Sequence, residues 1–229
     1  MSESFHASLH TAMKARATEI LPEVIELRRT LHKHPETGFD TGETEKLVKA
    51  FLEREHIAIL PSELGVLGLI RGRNHDRVAA LRADMDALPI QDAKDVPYRS
   101  QISGVCHACG HDAHVTMLLG AAKLLQEHRE ELQGDVRLIF QPAEEHVIGS
   151  KAMIAEGALD GVDAIFGQHV WGTLDIPYID VTAGPRMAYS GRFTVDVIGT
   201  SSHAATPHLG ADAITGAAAI INNLQQYVS

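Results

Sequence analysis

The sequence predicts an α/β fold: a doubly wound, mostly parallel sheet followed by the start of a smaller α/β domain. Between residues 18 and 170, short β-type runs alternate with amphipathic segments of helical periodicity, which is typical of βαβ units. Polar residues follow these runs where each one ends, as they do at the ligand-binding edge of such sheets. Near residue 186 the pattern changes to an alternating strand, a loop and an alanine-rich segment, which indicates a second domain.

Five segments carry the helical spacing of apolar residues. In the first of them Val24, Leu27 and Leu31 recur every three or four positions, and a run with Pro35 and Gly38 ends it. The third segment directly follows a loop that is rich in cysteine and histidine. The predicted helices cover residues 18–33, 43–56, 114–132, 150–159 and 211–228.

Five β-type runs accompany these helices. The first two are joined by the turn-like stretch RNHD at residues 73–76. In the last run Phe193, Val195 and Val197 alternate with polar residues, as they would in a half-buried strand. Strands are therefore predicted within residues 65–72, 78–86, 135–142, 162–170 and 186–200.

The composition limits the classes of partner. The 229 residues include 30 acidic and 20 basic ones, so the net charge is −10, which argues against nucleic acid or an anionic membrane as the main partner. The sequence shows no secretory signal pattern and no apolar run that could cross a bilayer. We therefore expect a cytoplasmic protein without a structural disulfide. The 14 histidines are a mild indication of metal binding or proton transfer.

The loop before the third helix reads GVCHACGHDAHV over residues 104–115 and contains both cysteines, Cys106 and Cys109. A C-x-x-C pair permits dithiol exchange. Covalent haem attachment requires a histidine where Gly110 stands, and a structural zinc site normally needs a second close pair of ligands. Buried residues without a ligand role are the plain alternative. The density of thiol and imidazole groups favours a catalytic metal site with Cys109 and His111 among its ligands.

Two pairs of acidic residues lie at or directly after the ends of predicted strands, and His169 lies near the end of another. The pairs are Glu144 with Glu145 and Asp84 with Asp86. Past a strand end, one of two adjacent carboxylates can bind a cation while the other faces its water. Glu144 would then act as general base and later as general acid. Thiolate, imidazole and carboxylate ligands suit zinc, manganese, cobalt or nickel.

Several stretches resemble the signature motifs of the M20 metallopeptidase family, and more narrowly its amidohydrolase branch of hippurate hydrolases, N-acyl-L-amino-acid amidohydrolases and auxin-conjugate hydrolases. The motifs occur in the expected order from about Leu27 to the end of the sequence. They are LRADMDALPI, HACGHDAHVTMLLGAA, FQPAEE, FGQHVW and SSHAATPH. The resemblance implies a doubly wound core with two divalent metal ions and an inserted α/β domain that dimerises and acts as a lid.

The resemblance also implies roles for individual residues. Glu144 is the implied general base and then general acid. His203, in the lid, would stabilise the developing oxyanion in the partner subunit's site, while Cys106 receives no role. The implied metal ligands are Cys109, His111, Glu145 and His169, and the implied supporting residues are Asp84, Asp86, Asp112 and His114.

These implications set the expected domains and reaction. We expect a catalytic domain over residues 1–185 and the beginning of a lid domain over residues 186–229. The expected reaction cleaves the amide bond of an N-acyl amino acid, such as hippurate, to a carboxylate and a free amino acid, in a homodimer. Because the family supplies a further histidine ligand after the lid, we expect a C-terminally truncated chain that is catalytically incomplete by itself.

Alternatives remain open at several points. The motifs allow hippurate, N-acetyl amino acids, diaminopimelate derivatives and auxin conjugates as substrates, and they do not select one metal. A different function would be that of a non-catalytic metal-binding or dimerisation fragment. A C-x-x-C dithiol oxidoreductase is a further alternative.

Overall fold

The computed structural model describes residues 3–188, 191 and 193–227. It divides into two compact units, residues 1–180 and residues 181–229, close to the boundary predicted at residue 185. The assignment of catalytic and lid roles to these units stays a prediction.

Unit 1 is built on a five-stranded sheet. In chain order the strands are β1 (Ala58–Leu60), β2 (Val66–Ile70), β3 (Val78–Asp84), β4 (Asp135–Gln141) and β5 (Ala164–Gly167). Their spatial order is β1-β2-β4-β3-β5. β3 is parallel to β4 and to β5, while β2 is antiparallel to β1 and to β4, so four of the five strands run in one direction. The predicted α/β fold with a mostly parallel sheet is confirmed.

Five α-helices occur among the described residues. They are α1 (Glu3–Lys33), α2 (Gly42–Arg54), α3 (His111–Glu127), α4 (Gly149–Ala155) and, in unit 2, α5 (Ala213–Leu224). The first helix begins well before the predicted residue 18 and contains Pro22. Within the described part of the chain, no helix has both the length and the apolar character that a bilayer span requires.

Apolar side chains cover both faces of the sheet. On one face, residues such as Ile70, Leu138 and Phe140 pack against α1, α2 and α3. On the opposite face, Ile139 packs with Met153 of α4. Neighbouring residues of a strand point to opposite sides, so β4 contributes to both layers. This packing holds the carboxyl ends of β3, β4 and β5 together at one edge of the sheet.

Two strand predictions differ from the structure. β1 was not predicted, because three residues are too few to show an alternating pattern. Residues 186–200 were predicted to form a strand, but their described part contains no strand beyond the single bridge between Thr200 and Ala211. Phe193 and Ile198 are exposed there, since no neighbouring strand pairs with this segment in the described residues. Tyr189, Ser190 and Arg192 of the predicted strand lie outside the described residues.

Candidate metal centre

The predicted site residues of unit 1 lie at the edge where the parallel strands end. Asp84 is the last residue of β3, and it pairs with the last residue of β4, Gln141. The acidic pair of residues 144–145 follows β4, and His169 follows β5 by two positions. α3 starts with His111. Three strands and one helix therefore each bring a polar group to the same edge.

Five predicted residues share one pocket around His111. Cys109, His111 and His169 offer ligand atoms that all lie within 4.8 Å of one another, and so do His111, Glu144 and Glu145. Cys109 Sγ is 3.4 Å from His169 Nε2. His111 Nε2 lies 3.8 Å from Glu144 Oε2 and 3.9 Å from Glu145 Oε1. The structure thus brings together the four predicted ligands and the predicted base.

Backbone carbonyl groups set the tautomers of the two histidines. His111 Nδ1 donates a hydrogen bond to the carbonyl oxygen of Asp86 at 2.7 Å, and His169 Nδ1 donates to that of Val170 at 2.6 Å. Because a carbonyl oxygen only accepts, each ring carries a proton on Nδ1, which leaves a lone pair on Nε2 in the neutral form. A metal requires such a lone pair, and a hydrogen bond at the other nitrogen orients the ligand.

Two buried atoms in the pocket support cation binding. Nε2 of His111 and Oε1 of Glu145 have no hydrogen-bond partner among the described residues. A buried polar atom without a partner costs about 1–3 kcal/mol, and the 3.9 Å between these two atoms is too long for a hydrogen bond. Two ligands of one ion commonly lie at such a separation. The donor set of thiol, imidazole and carboxylate therefore fits a divalent cation such as zinc.

The electrostatics of the pocket are dominated by negative charge. Burial raises the pKa of the Cys109 thiol to about 12, and the nearby carboxylates of Glu145 and Glu144 contribute to the rise. Burial also raises the pKa of Glu145, with His111 opposing the rise and Glu144 adding to it. A bound cation would remove this repulsion. Dithiol exchange requires an accessible thiolate, and burial raises the pKa of Cys106 as well, so these features disfavour the oxidoreductase alternative.

Asp86 holds the turn that presents the two acids. Its carboxylate oxygens accept hydrogen bonds from the backbone N–H groups of Glu144 at 2.9 Å and Glu145 at 3.1 Å. The residue before them, Ala143, has φ 52°, the left-handed region that non-glycine residues rarely adopt. This conformation turns the chain after β4 so that both N–H groups reach the same carboxylate.

Asp84 and His114 form a hydrogen-bonded pair beside the pocket. His114 Nδ1 donates to Asp84 Oδ1 at 2.6 Å, and Arg82 Nη1 donates to Asp84 Oδ2 at 2.7 Å. Burial by itself would raise the pKa of Asp84, but the His114 hydrogen bond and the Arg82 charge outweigh it and hold the pKa far below its usual range. Asp84, His111 and His114 also form a group with ligand-type atoms close together. Since both Asp84 oxygens have donors, this pair is suited to support and not to ligation.

Asp112 links α3 to α1. Its carboxylate oxygen Oδ2 lies 2.8 Å from Arg28 Nε and 2.6 Å from His32 Nδ1. The sequence indicated Asp112 as a supporting residue but not Arg28 or His32, because no local pattern joins residues 80 positions apart. Arg82 was also missed, although a charged residue inside a largely buried strand was an available signal.

Two further residues of the sequence analysis are His203 and Cys106. His203 belongs to unit 2, where it is exposed and its Nδ1 accepts a hydrogen bond from the Ala205 N–H at 3.1 Å. Cys106 is a buried free thiol of unit 1.

One edge of the mostly parallel α/β sheet carries a thiol, two imidazoles and two carboxylates. This combination is typical of metal-dependent hydrolases, which use such centres to activate water. The model of peptidase family M20/M25/M40 matches residues 80–227, and the chain belongs to this family. The resemblance found in the motifs is confirmed.

Relatives and a solved structure agree with this family. The chain is 45% identical over 217 residues to the IAA-amino acid hydrolase ILR1-like 5 of Arabidopsis thaliana, covering 94% of this chain and 50% of the relative. It is 40% identical over 220 residues to the N-acyl-L-amino acid amidohydrolase of Geobacillus stearothermophilus, covering 95% and 60%. The chain therefore spans only half to three-fifths of the length of these relatives.

One matching solved structure is that of the YXEP protein of Bacillus subtilis, described as a dinuclear metal binding peptidase from the M20 family. Its sequence identity is 46% and the TM-score is 0.66, with 70% of this chain and 45% of that chain covered. That protein thus combines the same fold with a two-metal centre.

Proposed function

We propose that the whole protein is a metal-dependent amidohydrolase that cleaves N-acyl amino acids to a carboxylate and a free amino acid. The observation that carries the proposal is that two groups of ligand-type atoms share His111. Cys109, His111 and His169 form one group, and His111, Glu144 and Glu145 form the other. His111 Nε2 and Glu145 Oε1 are buried without a hydrogen-bond partner in the described part of the chain. The proposed ligands are Cys109, His111, Glu145 and His169.

Glu144 is the proposed general base. Two divalent ions of zinc, manganese, cobalt or nickel, when bound, polarise the amide carbonyl and lower the pKa of a water molecule. The Glu144 carboxylate takes the proton of that water and passes it to the leaving nitrogen. Its side chain is 41% exposed, whereas that of Glu145 is 21% exposed. Glu144 is therefore the better placed of the two to meet a substrate, and Glu145 to bind a metal.

The names of two relatives support the substrate class. One is an IAA-amino acid hydrolase and the other an N-acyl-L-amino acid amidohydrolase, and both names describe the hydrolysis of an amino acid derivative. A hippurate-like compound, in which the acyl group is aromatic, is the proposed type of substrate.

His203 is the residue of unit 2 with a proposed role in the reaction. This exposed imidazole stabilises the oxyanion that develops on the amide carbonyl, and the proposed assembly is a homodimer in which it serves the partner subunit's site. A cytoplasmic location is proposed because the Cys109 thiol must stay reduced to bind a metal.

The substitution Glu144→Gln tests the proposed function. Glutamine keeps the shape of the side chain but cannot take up the proton, so hydrolysis should fall by about 10²- to 10⁴-fold while the metal content stays unchanged. Elemental analysis and a panel of N-acyl amino acids, assayed on the whole protein, measure both quantities. Glu53→Gln, at an exposed position of α2, is the control that should retain both. Loss of metal together with activity, or full activity in Glu144→Gln, would refute the assignment.

A further inference from the structure

The segment that carries His169 is held in place by two residues at the start of α3. The backbone N–H of Val170 donates a hydrogen bond to His114 Nε2 at 2.9 Å. The Val170 side chain lies against Gly110, where an added Cβ would come within 2.4 Å of Val170 Cγ2. Gly110 also has φ 91°, which disfavours any other residue there. We refer to Gly110 and His114 together as the Val170 seat.

The hydrogen bonds of His114 determine its tautomer. Nε2 accepts the Val170 N–H and must therefore carry a lone pair, so the proton lies on Nδ1, which donates to Asp84 at 2.6 Å. Arg82 in turn holds Asp84. The imidazole is buried, and its ring centroid is 4.6 Å from that of His169. A chain of hydrogen bonds thus runs from the end of β3 through His114 to the backbone beside His169.

We propose that His114 is a positioning residue that uses the Val170 seat to place the His169 imidazole opposite Cys109 before any cation binds. Val170 connects the two, because its N–H occupies the seat while its carbonyl oxygen accepts the hydrogen bond from His169 Nδ1. His169 Nε2 consequently lies 3.4 Å from Cys109 Sγ. The metal-affinity part of the test rests on the proposed function, whereas the seat is a property of the metal-free chain.

The first experiment measures amide hydrogen exchange of Val170 in the metal-free chain of 229 residues. His114→Phe keeps an aromatic ring but removes the acceptor, and exchange at Val170 should become about tenfold faster or more. His114→Gln restores an acceptor near the position of Nε2 and should keep most of the protection. Thr116→Val removes a hydroxyl on the same helix. Among the described residues, this hydroxyl donates to the backbone carbonyl oxygens of Asp112 and Ala113, so Val170 should exchange as in the wild type.

The second experiment measures the affinity for Zn²⁺ by competition with a chromogenic chelator. The fluorescence of Trp171, the one tryptophan of the sequence, follows the same titration, since its ring centroid is 5.7 Å from that of His169. His114→Phe should weaken binding by about 10- to 100-fold, and His114→Gln should weaken it less. Val170→Ala, which leaves the N–H in place but removes the contact with Gly110, should also weaken binding.

The outcomes separate this inference from the proposed function. If the wild type binds no Zn²⁺, the proposed function fails, and the exchange of Val170 still decides whether the seat exists. Wild-type exchange at Val170 and wild-type Zn²⁺ affinity in His114→Phe would overturn the inference. If His114→Phe does not fold, Val170→Ala takes its place, and an affinity equal to that of Thr116→Val would overturn the inference in the same way.

Discussion

Asp86 serves the candidate metal centre through both its backbone and its side chain. Its carbonyl oxygen accepts from His111 Nδ1, and its two carboxylate oxygens accept from the N–H groups of Glu144 and Glu145. One buried residue therefore orients an imidazole and the backbone of both acids. Such partners orient ligands without touching the metal.

Asp86→Asn should reduce the stability of unit 1. The amide group has only one accepting oxygen, so one of the two backbone N–H groups loses its partner, at a cost of about 1–3 kcal/mol. The free energy of unfolding from urea titrations measures this cost. Asp95→Asn, at an exposed position, is the control and should stay within about 0.5 kcal/mol of the wild type. Equal stability of the two variants would contradict the role given to Asp86.

The sequence predicted some site residues and missed others for physical reasons. Cys109 and His111 were found because both cysteines and several histidines are concentrated in one loop. Val170 was missed because it acts through a backbone N–H, which every residue except proline has. Arg28 and His32 were missed because only the folded chain brings them to Asp112.

Helices α1 and α3 are joined by a cluster of polar side chains. The side chain of His32 is 1% exposed and that of Asp112 is 0% exposed, with 2.6 Å between His32 Nδ1 and Asp112 Oδ2. Arg28 approaches the same oxygen at 2.8 Å. Because His111 and Asp112 are the first two residues of α3, this cluster anchors the helix end that presents a proposed metal ligand.

His32→Leu should destabilise unit 1. The change removes the His32 hydrogen bond to Asp112, which keeps Arg28 as a partner, and the loss of a buried hydrogen-bond partner costs about 1–3 kcal/mol. His34→Leu is the matched control, because His34 lies two positions further along the chain and is exposed. Urea unfolding should show this loss for His32→Leu and a change within about 0.5 kcal/mol for His34→Leu. Similar stabilities for the two variants would rule out an anchoring role.

Asp135, the first residue of β4, is buried and forms hydrogen bonds with residues that follow β2. Asp135 is paired with Arg71 and His75 and accepts the N–H of Gly72. Burial would raise the pKa of Asp135, but the hydrogen bonds from His75, from the backbone and from Arg71 outweigh it and lower the pKa below 3.8. The carboxylate therefore stabilises the fold above the unfolded-state pKa, and this stabilisation disappears as the pH falls through 3.8 towards the folded-state pKa.

Asp135→Asn should weaken the acid sensitivity of unit 1. The wild type should lose more stability than this variant when the pH falls from about 6 to about 3, since asparagine does not titrate. Urea unfolding at a series of pH values measures the difference. Asp40→Asn, at an exposed position, should follow the pH dependence of the wild type. Parallel pH profiles for Asp135→Asn and the wild type would show that Asp135 carries no such stabilisation.

Strands could be predicted from the sequence where their residue pattern was strong. β2, β3 and β4 were found because each has five to seven residues with apolar character and clear turn signals. The three residues of β1 carry no such signal. Residues 186–200 alternate as a strand does, but strand formation needs a pairing neighbour, and the described residues of unit 2 show only one bridge there.

Across the whole molecule, the proposed ligands come from separate parts of unit 1. Cys109 and His111 flank the start of α3, Glu145 follows β4 and His169 follows β5. Only the folded sheet brings these groups together, so metal binding should stabilise the folded state by mass action. The fold class could be predicted from sequence because strands and helices alternate from β3 to β5. The ligand geometry could not, because it depends on how the strand ends and the Val170 seat align.

The binding of Co²⁺ tests the central claim most directly, because a cobalt ion bound by a thiolate shows an intense near-ultraviolet charge-transfer band. We expect this band in the wild type and in Cys106→Ser, and its loss in Cys109→Ser. The two cysteines are three positions apart, so each variant is the control for the other. A band that persists in Cys109→Ser and disappears in Cys106→Ser, or no band in the wild type, would contradict a cation site built on Cys109.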